Sequence, residues 1–486
     1  MVLALDLGTS SVRALVTDDA GRALTGVEAR RPTGLRVGDD GSAELDADEV
    51  VGALGECIDE LHGAGRLDGV EQVATSCFWH SVMGVDAAGD PVTPLLTWAD
   101  ARATAIVGRL RARLGRTDPA TLQGRTGCWL HALYWTAKIP WLAGQAGTRP
   151  AAWAGMAEHL GRRLLDDGSA SISMASGTGL LDLARRDWDP EAMAVAGVEP
   201  AALPAIAPAG WGGRLNPEGR RRWPALAEAI WAPALGDGAA ANVGAGCVTP
   251  DRAAVTIGTS AAIRVVGGPV DGPLDPHLWR YLVDHERVIT GLALSGGGNL
   301  YEWARATLTL PDGVPGKNAD QLQAALAEVP PGANGVIALP YQAGARPPLD
   351  LPGGSGLLAG LSLATSPVEL LAGLLESVCF GLADGYRALA GGLGHELRVL
   401  ATGGALLASG WWRQRLADTL GRPVELLDAR ELSAEGAAVA ALGRLASPAS
   451  AGTVQPDPAA AEALAAAMAR RDELAARLGW VSPPDR

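Results

Sequence analysis

The most constraining feature of this sequence is a strand–turn–strand pattern that occurs twice. Residues 2–16 (VLALDLGTSSVRALV) combine two apolar strands with a Gly-Thr-Ser turn, and residues 253–266 (AAVTIGTSAAIRVV) repeat that arrangement. One copy lies in each half of the 486-residue chain. A supersecondary unit duplicated in this way predicts two similar α/β lobes that face each other across a cleft.

The length of the chain supports more than one domain, because single cores stop growing at about 250–300 residues. We predict a first lobe over residues 1–242 and a second lobe over residues 243–445, followed by an Ala-rich helical tail over residues 446–486. Residues 115–235 are rich in Trp and turns and poorly periodic, which indicates an insertion of helices and loops in the first lobe.

Several elements can be predicted from local signals. A third strand is expected after the turn at residues 18–21. A helix is predicted to begin after Asp46 and to end at a left-handed glycine, Gly63. A second long helix begins at the capping box of residues 366–369 (SPVE), and residues 396–401 form a strand.

Composition limits the class of protein. Apolar residues make up 48% of the chain, charged residues 19%, and the formal net charge is −14, so a nucleic acid or an anionic membrane is not expected as a partner. The five cysteines contain no Cys-x-x-Cys pair, and we see no signal peptide or apolar stretch of about 18 residues. We therefore expect a cytoplasmic enzyme.

The repeated turns have the chemistry of a phosphate site. A turn with glycine at its apex exposes successive backbone N–H groups, and neighbouring hydroxyl groups add further donors. Two such turns could hold the phosphates of one nucleotide, ATP, from opposite sides. The predicted phosphate-binding residues are Gly8, Thr9, Ser10, Ser11 and Arg13 in the first copy and Gly258, Thr259 and Ser260 in the second.

Only the first copy carries a carboxylate, Asp6, at the end of its buried strand; Thr256 takes its place in the second. A buried carboxylate needs a partner, and Mg²⁺ bound with the nucleotide, directly or through water, would supply one. The alternative is a structural aspartate in a polar hairpin. One nucleotide needs one metal site, which would explain the asymmetry.

A third glycine-rich turn follows the strand at residues 396–401. Gly403, Gly404 and Ala405 would let a flat ring lie close to the backbone, so we predict that they bind adenosine. An ordinary strand-to-helix loop is the alternative interpretation.

DLGTSSVRA, TIGTSAAIR and ATGGALLAS resemble, in this order, the two phosphate motifs and the adenosine motif of the actin, heat-shock chaperone and hexokinase fold. Within that fold the chain resembles the FGGY family of carbohydrate kinases over residues 2–443. The segments that carry this resemblance are TWADARA, LGDGAAANVGAGC and GSGLLAGLSLATSPVELLAGLLES. The resemblance implies two ribonuclease-H-like (actin-like ATPase) lobes, a catalytic cleft, and ATP with Mg²⁺.

The resemblance also implies roles for individual residues. Asp237 of the Gly-Asp-Gly segment becomes the general base, although the same tripeptide alone would indicate a turn. The implied substrate contacts are Trp79, His80, Asp100, Arg102 and Asp237. Two positions depart from the family pattern: Gly238 stands where Gln is usual, and Trp135 replaces a small residue or proline.

The segment TGCWLHALYWTAKIPWL looks most like that of gluconate kinases. We therefore expect gluconate to be converted to 6-phosphogluconate, with xylulose or another pentulose or polyol as the alternative substrate. Since gluconate is an anion, His80, Arg102, His131 and Lys138 are its candidate cationic partners. A homodimer is an open alternative to a monomer.

Two functions from other classes compete. Residues 354–359 (GSGLLA) satisfy a loose dinucleotide-binding pattern, but they follow no apolar strand. An ATP-binding regulator that has lost catalysis is compatible with Gly238. A chaperone-like ATPase is less compatible with the sequence, because only an Ala-rich helical tail, and no peptide-binding domain, is expected after residue 450. The sequence contains no P-loop motif.

Overall fold

The structure is a computed structural model. It describes residues 1–114, 119–145, 147, 149–268, 270, 273–308, 319–342, 344–346, 349, 351, 354–428 and 431–480. The strands are, in chain order, β1 (Val2–Leu7), β2 (Ser11–Thr17), β3 (Ala23–Pro32), β4 (Arg36–Val37), β5 (Ala43–Leu45), β6 (Gln72–Cys77), β7 (Met83–Val85), β8 (Leu95–Leu96), β9 (Ala152–Ala154), β10 (Leu181–Asp182), β11 (Asp187–Trp188), β12 (Ile230–Trp231), β13 (Leu235–Gly236), β14 (Arg252–Ile257), β15 (Ala261–Val266), β16 (Trp279–Leu282), β17 (Val288–Leu294), β18 (Ile337–Leu339), β19 (Leu357–Ala359), β20 (Arg398–Thr402), β21 (Val424–Leu427) and β22 (Ser450–Val454).

The α-helices are, in chain order, α1 (Ala47–Gly63), α2 (Thr104–Arg113), α3 (Pro119–Thr126), α4 (Trp135–Ala143), α5 (Met156–Leu165), α6 (Ile172–Ser176), α7 (Pro190–Ala196), α8 (Pro217–Arg222), α9 (Asp237–Gly244), α10 (Gly298–Thr307), α11 (Ala319–Ala327), α12 (Pro367–Leu393), α13 (Gly404–Ala408), α14 (Gly410–Leu420), α15 (Leu432–Ala441) and α16 (Pro458–Arg477).

The first sheet has the strand order β12-β6-β1-β2-β3, and β13 also pairs with β6. β1 is apolar on both faces except at Asp6, which suits the centre of a covered sheet. It pairs antiparallel with β2 across the first Gly-Thr-Ser turn and parallel with β6 after the crossover through α1. The predicted third strand is confirmed as β3.

The second sheet repeats this arrangement with the order β16-β17-β15-β14-β20-β21-β22. β14 and β15 form the antiparallel pair around the second turn, and β20 lies parallel to β14 as β6 lies parallel to β1. The prediction of two similar α/β lobes is therefore confirmed.

One helix from the second half of the chain, α15, packs against the first lobe. α15 packs on α9 and on β1 and β6 of the first sheet, so it covers the helix that starts at Asp237. Gly436 makes this approach possible, because a Cβ atom there would collide with the carbonyl oxygen of Ala240.

The segment predicted as a helical tail begins with a strand. β22 pairs with β21 at the edge of the second sheet, and α16 packs on α14 of the same lobe. Leu464 and Met468 of α16 lie in a hydrophobic cluster with Phe380 of α12. The boundaries at residues 242 and 445 stay predictions.

The helix caps show where local signals are sufficient. Asp46 caps α1 by accepting bonds from the N–H groups of Asp48 and Glu49, as predicted. The left-handed glycine was placed wrongly: α1 includes Gly63, and Gly65 takes a φ of 65°. The capping box that begins α12 at Ser366 is confirmed.

Among the described residues, none of the helices has the length and apolar character that crossing a bilayer requires.

Candidate active site

Three neighbouring strands of the first sheet end at the same edge. β1, β6 and β13 are parallel, with Asp6 beside Ser76 and Gly236 beside Cys77. Because parallel strands present their carboxyl ends together, Asp6, the pair after β6 and the residue after β13 converge there. The structure thus brings together predicted residues that are far apart in the sequence: Asp6, Trp79, His80 and Asp237.

A cavity of about 160 Å³ lies between the lobes at this edge. Both lobes contribute to its wall, so the cavity exists only through their juxtaposition. The first lobe contributes Trp79, His80, Trp98, Tyr134, Asp237 and Gly238; the second contributes Ser260, Arg264, Trp279, Tyr281 and Arg346.

Asp237 is the first residue of α9, and its carboxylate faces this cavity. Its Oδ1 accepts a hydrogen bond from the N–H of Gly238 at 2.7 Å. Burial raises the pKa of Asp237 above its usual value, while the guanidinium of Arg264 opposes that shift and the charge of Asp6 adds to it. A carboxylate with a raised pKa is better suited to accept a proton near neutral pH.

Asp6 is a second buried carboxylate on the same side. Burial raises the pKa of Asp6, and a hydrogen bond from Ser76 and the charges of Arg13 and Arg30 partly offset this. Two buried carboxylates that repel each other fit a divalent cation. No group of three or more His, Cys, Asp or Glu side chains that could hold a metal occurs within the described residues. Mg²⁺ binding at Asp6 stays a prediction.

The two Gly-Thr-Ser turns close on backbone hydrogen bonds of different span. The N–H of Gly8 donates to the carbonyl of Ser11, and that of Gly258 donates to the carbonyl of Ser260, both at 3.0 Å. The first turn therefore contains one more residue, Ser11, than the second. Phosphate binding by Gly8, Thr9, Ser10, Ser11, Gly258, Thr259 and Ser260 stays a prediction.

Arg13 has a partner within the protein. Its guanidinium forms an ion pair with Glu431, the residue that precedes α15. Phosphate binding by Arg13 stays a prediction.

The third motif lies against the second turn. Gly403 has a φ of 110°, and a Cβ atom there would collide with the main chain of Ile257, the last residue of β14. Ala405 lies next to Gly298 at the start of α10, where Gly298 donates to the Gly258 carbonyl at 2.7 Å. Gly404 and Ala405 belong to a short helix, α13, that precedes the one predicted near Ser409. Adenosine binding by Gly403, Gly404 and Ala405 stays a prediction.

Trp79 and His80 both line the cavity, but His80 is not a cation. Its Nδ1 lies 2.6 Å from the carbonyl oxygen of Gly177, so Nδ1 carries the hydrogen and Nε2 remains an acceptor. Burial lowers the pKa of His80 to about 3. Trp79 donates from Nε1 to the carbonyl of Ser173 at 3.0 Å, which leaves its ring as a wall.

Asp100 and Arg102 do not line this cavity. The Asp100 carboxylate is bound by the Arg102 guanidinium, at 2.6 Å from Nη2, and by the N–H of Ala43. Arg102 also pairs with Glu44 and lies over the Trp141 ring. Substrate contact by Asp100 and Arg102 stays a prediction; Trp98 of the same segment lines the cavity.

Lys138 and His131 are likewise outside the cavity wall. The buried Lys138 Nζ donates to the carbonyl of Thr97 at 2.5 Å and to that of His80 at 3.3 Å. Burial lowers its pKa to about 7. Lys138 thus fixes the main chain of His80, which has a φ of 70°.

The departure at Gly238 has a steric cause. A Cβ atom there would lie 2.8 Å from the Trp79 ring and 3.0 Å from Nε of Arg264, so glutamine cannot fit without displacing one of them. The other departure, Trp135, is buried and donates to the carbonyl of Ser81.

Sequence reasoning missed Arg264, Tyr281, Trp279 and Arg346. The available signal was a lone arginine within the apolar strand AAIRVV. At residues 354–359, β19 follows the glycines and pairs with β18, so the strand–turn–helix context of a dinucleotide site is missing, as expected from the sequence.

Two lobes of this topology, closing on a cavity with a raised-pKa carboxylate, define an actin-like ATPase fold of the carbohydrate-kinase class. Residues 1–244 match the N-terminal domain of the FGGY family of carbohydrate kinases, and residues 253–443 match its C-terminal domain. The chain belongs to this family.

Curated relatives act on several substrates. A gluconokinase of Bacillus subtilis (strain 168) is 26% identical over 460 residues, covering 91% of this chain and 87% of the relative. A glycerol kinase of Gloeobacter violaceus is 30% identical over 456 residues, with 90% and 87% covered. A xylulose kinase of Streptomyces coelicolor is 29% identical over 451 residues, with 92% and 88% covered.

Solved structures share the fold. A gluconate kinase from Lactobacillus acidophilus superimposes with a TM-score of 0.87 at 24% identity, covering 98% of each chain. A ligand-bound xylulose kinase from the same organism gives a TM-score of 0.88 at 24% identity, again covering 98% of each chain.

Proposed function

We propose that this carbohydrate kinase transfers the terminal phosphoryl group of ATP to a hydroxyl of a sugar acid, converting gluconate to 6-phosphogluconate. The observation that carries this proposal is the position of Asp237, which lines the cavity between the two lobes. Two arginines, Arg264 and Arg346, line that cavity and favour an anionic substrate. The gluconokinase relatives agree with this choice of substrate.

Asp237 accepts the proton of the acceptor hydroxyl as its oxygen forms a bond to the terminal phosphorus of ATP. The bond from that phosphorus to the bridging oxygen breaks, and the electron pair leaves with ADP. The two turns hold the phosphates, and Gly403, Gly404 and Ala405 receive the adenosine. Asp6 would hold Mg²⁺, which neutralises phosphate charge when bound.

The neutral side chains of the cavity orient the substrate. Nε2 of His80 accepts a hydrogen bond from a hydroxyl group, because Nδ1 is bound to Gly177. The rings of Trp79, Trp279 and Tyr281 pack edge-on or stacked to form one wall. With both lobes closed on it, this wall excludes water that would otherwise hydrolyse ATP.

Xylulose is the second candidate, since a neutral His80 and aromatic walls also suit a ketose and xylulose kinases are among the relatives. An ATP-binding regulator without turnover is the candidate from another class.

An ADP-release assay with ATP and Mg²⁺ tests these proposals on gluconate, xylulose and glycerol. Gluconate is expected to give the highest kcat/KM. Preference for xylulose would replace the proposed substrate, and ATP binding without turnover on any of them would favour the regulator. The Asp237→Asn variant is the control for turnover by a contaminating kinase.

A further inference from the structure

Arg264 occupies a slot that two glycines leave open. Its Cγ would lie 3.0 Å from a Cβ atom at Gly291 on the adjacent strand β17, and its Nε would lie 3.0 Å from one at Gly238 on α9. The rings of Trp79 and Trp279 lie against the same two glycines. A side chain at either glycine would close the slot. The guanidinium of Arg264 on β15 therefore has room only because β17 and α9 each carry a glycine beside it.

The cavity contains more positive than negative charge. Its described side chains include one carboxylate, Asp237, and two guanidinium groups, Arg264 and Arg346, while burial keeps His80 neutral. His277, at its edge, contacts Asp275 at 3.0 Å. Arg346 lies over the Trp98 ring, with Cζ 4.9 Å from the centroid. Nε of Arg264 has no hydrogen-bond partner among the described residues. A buried donor of this kind calls for an acceptor that the substrate brings.

The position of Arg264 separates it from the phosphate turn. It lies four residues beyond Ser260 on β15, or about 13 Å along the strand. Its Cγ lies against Gly291 of β17, whereas the turn at Gly258 and Thr259 accepts hydrogen bonds from the N–H groups of Gly298 and Asn299 of α10. Arg264 therefore faces the aromatic wall at the acceptor side of the cavity.

We propose that Arg264 binds the carboxylate of the acceptor and thereby selects sugar acids over neutral sugars and polyols. Guanidinium groups suit this task because two parallel N–H donors match the two oxygens of a carboxylate. This inference rests on the proposed function, since it assigns a residue to the acid group of the proposed substrate.

The same geometry explains Gly238. A glutamine at this position would enter the space of Nε of Arg264. Glycine at 238 and arginine at 264 therefore act as a pair, in which a charged group from the second lobe replaces the amide that the family usually places beside the base.

The experiment compares two acceptors with the same carbon skeleton, gluconate and glucitol, in which a CH₂OH group replaces the carboxylate. Isothermal titration without ATP measures binding to the wild type, Arg264→Gln and Arg264→Lys. Arg264→Gln should weaken gluconate binding by about tenfold to a hundredfold and change glucitol binding by less than about threefold. Arg264→Lys should fall between the wild type and Arg264→Gln for gluconate, because it keeps the charge and loses the paired donors.

Arg287→Gln is the matched control, since it removes the same charge from the β16–β17 turn outside the cavity. Equal losses for gluconate and glucitol in Arg264→Gln would overturn the proposal and assign Arg264 to general site integrity. Wild-type protein that binds gluconate no better than glucitol would also overturn it, without requiring any variant to fold.

The proposed function can fail separately. If the wild type prefers gluconate in the binding measurement but turns over no acceptor with ATP, the kinase proposal fails and the role of Arg264 stands. If gluconate is turned over and Arg264→Gln binds gluconate as tightly as the wild type does, the kinase proposal stands and the role of Arg264 fails.

Discussion

The two lobes have the same strand order around their Gly-Thr-Ser turns, yet they bring opposite charges to the cavity. The first lobe lines the cavity with the carboxylate of Asp237, whose pKa the nearby charge of Asp6 raises, and the second lines it with the guanidinium groups of Arg264 and Arg346. Thr256 stands in the second lobe where the first has Asp6. Duplication has thus kept the backbone donors of the turns, while the charged side chains differ between the lobes.

A difference of one residue in the turns accompanies this divergence. In the first lobe Arg13 lies directly opposite Asp6 and pairs with Glu431. In the second lobe Ala262 lies opposite Thr256, and the arginine follows two residues later. Ala262 and Arg264 both line the cavity. Carboxylate and guanidinium groups therefore face each other only when both lobes are present.

The largest effect is expected from removing the first lobe's base. Asp237→Asn should lower kcat by about 100-fold to 10,000-fold, because no carboxylate then accepts the hydroxyl proton. ATP binding should be unchanged. Near-wild-type turnover in steady-state assays, with unchanged ATP affinity, would show that Asp237 is not the base.

The second effect compares the equivalent positions of the two turns. Asp6→Asn should weaken Mg²⁺-dependent ATP binding by about tenfold to a hundredfold, the range for groups that support a metal through water. Thr256→Ala, at the matching position, should leave the Mg²⁺ dependence unchanged. Titration of kcat/KM with Mg²⁺ measures both, and equal effects would mean that the lobes do not differ in metal binding.

The third effect tests the contact between the lobes at Gly238. Gly238→Gln should lower the free energy of unfolding by about 1–3 kcal/mol, because the new side chain overpacks Trp79 and Arg264. Gly52→Gln in α1, where a Cβ atom meets nothing within 4 Å, is the control. Chemical denaturation measures both variants, and Trp79→Ala should recover part of the loss in Gly238→Gln. Equal stability of Gly238→Gln and wild type would contradict this packing.

A smaller effect is expected in the pH dependence. Asp237 must be unprotonated to act, so kcat/KM should fall as the pH falls through its raised pKa. Because the charge of Asp6 raises that pKa and the charge of Arg264 lowers it, Asp6→Asn should move the acidic limb to lower pH, and Arg264→Gln to higher pH. Movement of both variants in the same direction would refute the opposing roles of the lobes.

The smallest effect is expected at Arg13. Arg13→Gln should lower the free energy of unfolding by about 1 kcal/mol through loss of the Glu431 pair and leave the KM for ATP unchanged. Glu431→Gln should behave alike. A tenfold rise in the KM for ATP of Arg13→Gln would instead place this residue in the phosphate site.

Local patterns were sufficient for much of the fold. The turns, β1, β14 and the capping box of α12 each arise from a few consecutive residues, which is why they could be read without a structure. The pairing of Asp100 and Arg102 could not be read in this way, because their partners Ala43 and Glu44 lie more than fifty residues away. Sequence proximity to a motif did not reveal which charges were already paired.

The sequence by itself determined the two-lobed α/β fold and the placement of Asp6 at the end of a strand, because strand periodicity and glycine turns are local properties. Only the tertiary structure decided which charges face the cavity. Arg264, Gly238, Gly291 and Trp79 come from four separate segments. Their contact depends on sheet register and on how the lobes pack, which no local pattern encodes.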